Sequence, residues 1–287
     1  MENELKKDAI MRAILVGTDF SEESMVALEI AVDIANKLEC DIKVLWVQRE
    51  KLLIDDAQQR IMVNLAEAKL REMCAQHQPQ MKFGTIRWEI CKGKVAPVIN
   101  REARHNNSPM VVIGANGASG FEKYWMGSTA VRIVQESPVP VLTIRKGFDF
   151  HKPLERIVVP IRVNINSRQK VTPAAAMAKL FGSEIHVLGL HDSPDQMAEL
   201  QVYLKQTTEL LERDGIPFTV EMREYKNYSD AVLGYSEEIK ADLIVINTEQ
   251  DRIISQLFLG TNAQQIVHNS QFPVLCIHPA DIVSISK

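Results

Sequence analysis

Residues 114 to 129 read Gly114-Ala-Asn-Gly117-Ala-Ser-Gly120-Phe-Glu-Lys-Tyr-Trp-Met-Gly127-Ser128-Thr129, between the apolar run Met110 to Ile113 and a helical pattern that begins at Ala130. A strand, a glycine loop and a helix start in that order form an anion cradle. Glycines let the backbone approach phosphate, and the free N–H groups of the helix start donate to it. The hydroxyls of Ser128 and Thr129 stand where they add two more donors. The glycine count is equally compatible with a surface loop that needs positive φ. The segment is neither a P-loop, having no Gly-Lys-Ser/Thr ending, nor a GxGxxG fingerprint after a first strand. A second candidate is Asp19, which closes the apolar run Ala13 to Val16 just before Ser21. A carboxylate there accepts hydrogen bonds from a ligand, or serves a turn or a helix start.

These residues need a frame, and the chain supplies it twice. Arg12-Ala-Ile-Leu-Val-Gly-Thr-Asp19 resembles Arg156-Ile-Val-Val-Pro-Ile-Arg162, and Pro138-Val-Pro-Val-Leu-Thr-Ile144 resembles Gln271-Phe-Pro-Val-Leu-Cys-Ile277. Ile113 and Ile246, Gly127 and Gly260, and Pro140 and Pro273 are each 133 residues apart, whereas Asp19 and Arg162 are 143 apart, so an indel lies between the first and fourth strands. Long-period self-similarity of this kind marks a repeated unit. The apolar runs of four to six residues predict strands buried on both faces, and helical patterns lie between them at Ser21 to Leu38, Gln58 to Met73, Ala96 to Ala103 and from Ala130. Five strands alternating with helices predict a parallel α/β sheet with right-handed crossovers in each half. The halves are expected at residues 1–147 and 153–287, with Lys146 to Pro153 as linker, and unlike folds or one continuous sheet would contradict two separate units. Met25, Met62, Met73 and Met177 fall at core-like helical positions.

The pattern Gly-x2-Gly-x9-Gly-Ser/Thr filled by Gly114, Gly117, Gly127 and Ser128 resembles the ATP-binding signature of the universal stress protein family, and Gly17-Thr-Asp-Phe-Ser-Glu22 resembles that family's first strand and turn. The resemblance implies two tandem Rossmann-like α/β domains, each with a five-stranded parallel sheet of order 3-2-1-4-5, joined edge to edge through their last strands. It also implies that Asp19 faces the nucleoside, that Val47 is the backbone position facing adenine, and that Gly114, Gly117, Gly127, Ser128 and Thr129 surround the phosphates of ATP, with Mg²⁺ admitted beside it. Gly17 stands where the family commonly has proline, and Trp46 where it commonly has histidine.

The second half departs from the signature. At the matching register it reads Asn247-Thr-Glu-Gln250 and then, nine residues on, Gly260-Thr261; both leading glycines are replaced, and Arg162 replaces the Asp. One nucleotide per chain is therefore expected. Arg162, Arg168 and Lys170 are expected to form a solvated basic turn, with an anionic ligand as the alternative.

The 287 residues are 46% apolar and 24% charged, with a formal charge of -4, which suits a soluble globular chain and offers no basic footprint for nucleic acid. No run of about 18 apolar residues spans a bilayer, and the N-terminus lacks a secretion signal's apolar core, so a cytoplasmic protein is expected. The four cysteines form no CxxC pair, and neither zinc ligation nor a catalytic triad can be assembled from the spacing. The function expected is ATP binding in a stress response, regulatory or sequestering. The alternatives are slow ATP hydrolysis or phosphoryl transfer, for which no P-loop lysine or acidic Mg²⁺ pair is found, and capture of an apolar or anionic ligand by the second half. The partners expected are an adenine nucleotide and the other half of the chain, as an intrachain pseudo-dimer, with a homodimer left open.

Overall fold

The computed structural model describes residues 12–49, 55–115, 128–145, 152–164, 166–248 and 261–278. The first half runs β1 (Ala13–Thr18), α1 (Glu22–Leu38), β2 (Asp41–Gln48), α2 (Asp56–His77), β3 (Ile86–Lys92), α3 (Val95–His105), β4 (Val111–Gly114), α4 (Ser128–Glu136) and β5 (Val141–Ile144). The second repeats it with β6 (Arg156–Arg162), α5 (Val171–Phe181), β7 (Glu184–His191), α6 (Met197–Arg213), β8 (Phe218–Glu224), α7 (Tyr228–Glu238), β9 (Leu243–Asn247), α8 (Thr261–Asn269) and β10 (Val274–Ile277).

The helices begin where local chemistry satisfies their free N–H groups. Ser21 accepts from Ser24 N at 3.3 Å to cap α1, and Glu22 and Glu23 place negative charge in its first turn. Ala27, Leu28, Ala31, Ile34 and Ala35 then recur at helical spacing and are fully buried. The strands are apolar on both faces because helices cover both. Ile14 and Val16 of β1 pack in the cluster that holds residues of α1 and α2, while Leu15 packs with those of α3 and α4.

Ten strands form one sheet of order β3-β2-β1-β4-β5-β10-β9-β6-β7-β8. Each half is thus a parallel 3-2-1-4-5 unit, as the resemblance implies. The two are not separate sheets: β5 and β10 pair antiparallel, Thr143 with Val274, Leu142 with Leu275 and Val141 with Cys276, and the Thr143 hydroxyl donates to the Val274 carbonyl at 3.2 Å. The expectation that one continuous sheet and two repeated units exclude each other is corrected here. Pairing two apolar edge strands satisfies their open N–H and C=O groups, and in doing so it joins the sheets. The antiparallel join also turns the carboxyl ends of the two sets of strands toward opposite rims.

Of the four methionines, Met73 and Met177 are buried and Met25 packs against the core, but Met62 is 38% exposed beside the exposed Ile61 and Leu65. The outer face of α2 therefore carries apolar residues that helical spacing alone assigns to packing. Among the described residues no helix is long and apolar enough to cross a membrane.

Candidate functional site

Open α/β sheets bind ligands beyond the carboxyl ends of their strands, and the first half brings its sequence candidates to that rim. At the end of β1 the Thr18 hydroxyl lies 3.0 Å from Ser24 Oγ and accepts from Phe20 N at 3.1 Å. Asp19 Oδ1 accepts from Ser21 N at 3.1 Å, so the carboxylate supports the turn into α1 while its side chain remains exposed. Phe20 takes the left-handed conformation, φ 63°, and stacks on Trp46 with ring centroids 6.3 Å apart. Trp46 thus packs the β1 turn against β2. Gly17 sits where an added Cβ would meet Ile99 Cδ1 at 2.8 Å.

Val47 is buried near the end of β2, and Gly114 ends β4. A Cβ on Gly114 would lie 2.9 Å from Glu23 Cβ and 3.1 Å from Ser24 N, so glycine here lets β4 run against the backbone of α1's first turn. That packing role is separate from any approach to phosphate. Ser128 opens α4 and Thr129 follows it. Gly117 and Gly127 lie outside the described residues.

Arg49, one residue beyond β2, donates from Nη2 to Thr129 Oγ1 at 3.2 Å, linking the end of β2 to the first turn of α4. Beside this bond opens a cavity of about 390 Å³ lined by Arg49, Gly93, Lys94, Ala96, Thr129 and Arg132 among others. Gly93 has φ +137°, which shapes the turn from β3 into α3 and which L residues rarely adopt. Lys94 then stands at the start of α3 and makes no side-chain capping bond. Among the described residues neither Lys94 nor Arg132 faces a carboxylate in an ion pair. Linear reading missed these cations because they come from three different crossovers. The detectable signal is only that Arg49 directly follows a strand, that Lys94 begins a helix and that Arg132 lies one turn inside another.

The second half organises its rim differently. Asn247 ends β9, 8% exposed, and its amide Nδ2 donates to the Asn166 carbonyl. The expected solvated basic turn is corrected. Lys170 is 2% exposed and donates from Nζ to the Ser167 carbonyl at 2.9 Å, while Arg162 lies 4.9 Å above the Tyr228 ring and Arg168 4.6 Å above the Tyr203 ring. Aromatic faces stabilise these cations and remove them from bulk solvent. Pro160 lacks an N–H, and the paired register of β6 with β9 covers Ile157 and Val158, ending before it. In the first half the β1 register with β4 continues to Gly17.

The family model described as the universal stress protein family matches residues 11–145 and again 153–278. A universal stress protein of Methanocaldococcus jannaschii is 27% identical over 150 residues, 47% of this chain and 86% of that protein. A Bacillus subtilis universal stress protein is 26% identical over 145 residues, 46% of this chain and 97% of its own length. Among solved structures, a universal stress protein from Archaeoglobus fulgidus superposes with a TM-score of 0.78 at 24% identity, covering 93% of this chain and 98% of that one. A Pseudomonas aeruginosa protein of unknown function superposes with a TM-score of 0.66 at 18% identity, covering 95% and 94%. With residues 11–145 and 153–278 each matched by one family model, the chain belongs to the universal stress protein family as a tandem, two-domain member.

Proposed function

We propose that the first half, residues 1–147, binds one molecule of ATP and that its occupancy regulates the chain rather than driving a reaction, while the second half, residues 153–287, leaves ATP unbound. In this reading Asp19 accepts from the nucleoside, the backbone at Val47 faces adenine, and Gly114, Gly117, Gly127, Ser128 and Thr129 surround the phosphates. The observation that carries the reading is the Arg49 to Thr129 hydrogen bond. It brings the end of β2, where the base belongs, beside the first turn of α4, whose free N–H groups suit phosphate. In the second half Asn247 fills the position of Gly114 with a side chain, and Arg162 cannot accept as Asp19 does. Among the described residues no positioned nucleophile supports phosphoryl transfer.

The test is titration of the full chain with ATP, followed by separate assays of retained nucleotide and released phosphate. One retained nucleotide per chain and no enzyme-dependent phosphate release are expected. Asp19→Ala should weaken binding by about 10- to 150-fold, the loss of a hydrogen bond to a charged acceptor. Unchanged affinity in that variant, or a stoichiometry of two, would overturn the reading.

A further inference from the structure

The cavity between the starts of α3 and α4 has an internal control, because the second half contains the same two helices without the same lining. α3 and α7 align at 133 residues, as do α4 and α8, while β2 and β7 align at 143. Lys94 thus corresponds to Asn227, Ala96 to Ser229, Thr129 to Asn262, Arg132 to Gln265 and Arg49 to Asp192. In the second half these residues serve one another. Asn227 Oδ1 accepts from Ser229 N at 3.0 Å and Asp230 N at 3.3 Å, so α7 is capped by its own chain. The Ser229 hydroxyl is 2.9 Å from Gln265 Oε1 and 3.3 Å from the Asn262 carbonyl, which bridges α7 to α8. Three cations have become an aspartate and neutral amides.

In the first half Arg49 donates to Thr129, but among the described residues Lys94 and Arg132 make no such bond. Lys94 places positive charge at the positive end of α3, where the helix dipole opposes it and an anion would offset both. One turn further along the same face as Ala96 lies Asn100, 6% exposed, with neither its Nδ2 nor its Oδ1 hydrogen-bonded. Asn100 lies behind the cavity and is not among the residues that line it, and its amide atoms are closed off from solvent. Its counterpart in α7 is Leu233, which needs no partner. A helix start without a side-chain cap and two cations without carboxylate partners coincide at one cavity among the described residues, and at the equivalent positions of the other half, Asn227 and Gln265, both features are absent.

We propose that this cavity is a polyphosphate subsite of the first half, in which Arg49, Lys94 and Arg132 make the site choose among adenine nucleotides by charge and hold a triphosphate more tightly than a monophosphate. The proposal rests on the nucleotide reading above and adds the residues that discriminate. Thr129 lines the cavity and also belongs to α4's first turn, so a phosphate chain seated at α4 would extend directly toward Lys94.

The experiment measures affinities of ATP, AMP and inorganic tripolyphosphate for the full chain and for the double variant Lys94→Gln/Arg132→Gln, with Lys226→Gln as a control on the other rim. All the substituted side chains except Lys226 line the cavity and are exposed, and circular dichroism of each variant checks folding. The wild-type chain should prefer ATP over AMP by at least about 10-fold, and the double variant should reduce that preference to about 3-fold or less while AMP affinity moves little. Tripolyphosphate should bind the wild-type chain and weaken by about 10-fold in the double variant, more steeply at low than at high salt. If the ATP to AMP ratio and tripolyphosphate affinity are both unchanged in the double variant, the subsite is overturned while nucleotide binding stands. If no adenine nucleotide binds the wild-type chain but tripolyphosphate does, and depends on Lys94 and Arg132, the nucleotide reading is overturned and the anion subsite is supported.

Discussion

α3 starts on Lys94 with no side-chain cap, and α7 starts on Asn227 with two capping bonds. The helices otherwise occupy equivalent places, each 11 residues long and each packed against the helix after the fourth strand of its half. Away from the rim the halves keep the same devices: Asn107 and Lys240, 133 residues apart, both take positive φ after their helices, at 45° and 54°. The frame is held because strands buried on both faces tolerate few changes of side-chain size. The rim is free to diverge because its residues reach solvent, and there the second half has closed the start of α7 with internal hydrogen bonds while the first leaves the start of α3 without a side-chain cap.

The largest difference expected lies midway along the sheet, at Lys43 and its counterpart His186. Lys43 Nζ is 2.7 Å from Glu89 Oε2 and 3.0 Å from Glu102 Oε2, with side chains of Lys43 and Glu102 only 19% and 14% exposed. Burial by itself would lower the Lys43 ammonium, but the two carboxylates outweigh it and raise it. Burial would raise Glu102, and the bonds from Lys43 and Arg101 outweigh that and lower it. In the second half His186 Nδ1 lies 2.9 Å from the Thr219 hydroxyl and 3.4 Å from that of Tyr235, the residue aligned with Glu102. Burial pushes His186 below the ordinary histidine range, and Arg156 adds to this while Glu184 opposes it. Lys43→Met leaves Glu102 half-paired in a low-dielectric site and should cost about 3 kcal/mol, whereas His186→Met should cost about 1 kcal/mol. Urea unfolding of each variant measures both, and equal costs would remove the electrostatic distinction between the halves.

The same pair separates the halves by pH. A histidine whose folded pKa is depressed contributes stability above its unfolded value, near 6.5, and loses it as pH falls through the folded value. Lys43 and Glu102 remain charged throughout that window. Hydrogen exchange, corrected for intrinsic rates, should therefore show β7 and β8 losing protection between pH 7 and 5.5 while β2 and β3 keep theirs. His186→Met should abolish the loss, and a loss that persists in that variant would assign it elsewhere.

Much of this frame can be read from the chain. Ser21 followed by Glu22, Glu23 and the spaced apolar residues Ala27 to Leu38 announces α1, and the 133-residue register announces the repeat. The rim is less legible because parallel crossovers assemble it. Arg49, Lys94 and Arg132 are 45 and 38 residues apart along the chain, and no local pattern links them. Arg162 and Arg168 lie in a locally basic turn that gives no sign of their partners Tyr228 and Tyr203, which are 66 and 35 residues downstream. Gly114 is a case in between. The glycine pattern predicts an approach to phosphate, while the structure shows the Gly114 Cα against the backbone of α1, a contact that no local pattern announces.

A smaller effect sharpens the contrast at the helix starts. Lys94→Asn gives α3 the cap that α7 already has and removes a cation from the positive helix end, so it should stabilise the chain by about 1 kcal/mol. It should also weaken ATP binding. Asn227→Ala should cost about 1 kcal/mol and leave ATP affinity unchanged, since the two rims lie at opposite ends of the sheet. Thermal unfolding with and without ATP measures the trade. If Lys94→Asn destabilises the chain in the absence of ligand, the start of α3 has a partner other than a ligand, and the contrast with α7 is mistaken.

The smallest difference is expected where the repeat is most faithful. Before β5 the Ser137 hydroxyl donates to the Val139 carbonyl at 2.7 Å and accepts from Val139 N at 3.3 Å; before β10 the Ser270 hydroxyl donates to the Phe272 carbonyl at 2.8 Å and accepts from Phe272 N at 3.0 Å. Both serines are almost fully buried, and both turns lead into the strands that pair across the seam. Removing either hydroxyl leaves a buried N–H and C=O short of a partner, at about 1 to 2 kcal/mol each. Because the seam joins the halves into one sheet, Ser137→Ala and Ser270→Ala should lower the same unfolding transition by amounts within about 0.5 kcal/mol of each other, and the double variant should show their sum, the sites sharing no partner. Denaturant unfolding followed by fluorescence and circular dichroism together makes the measurement. Two separate transitions, each moved by only one of the substitutions, would show that the antiparallel seam does not couple the halves and that the continuous sheet is a geometric join without a cooperative one.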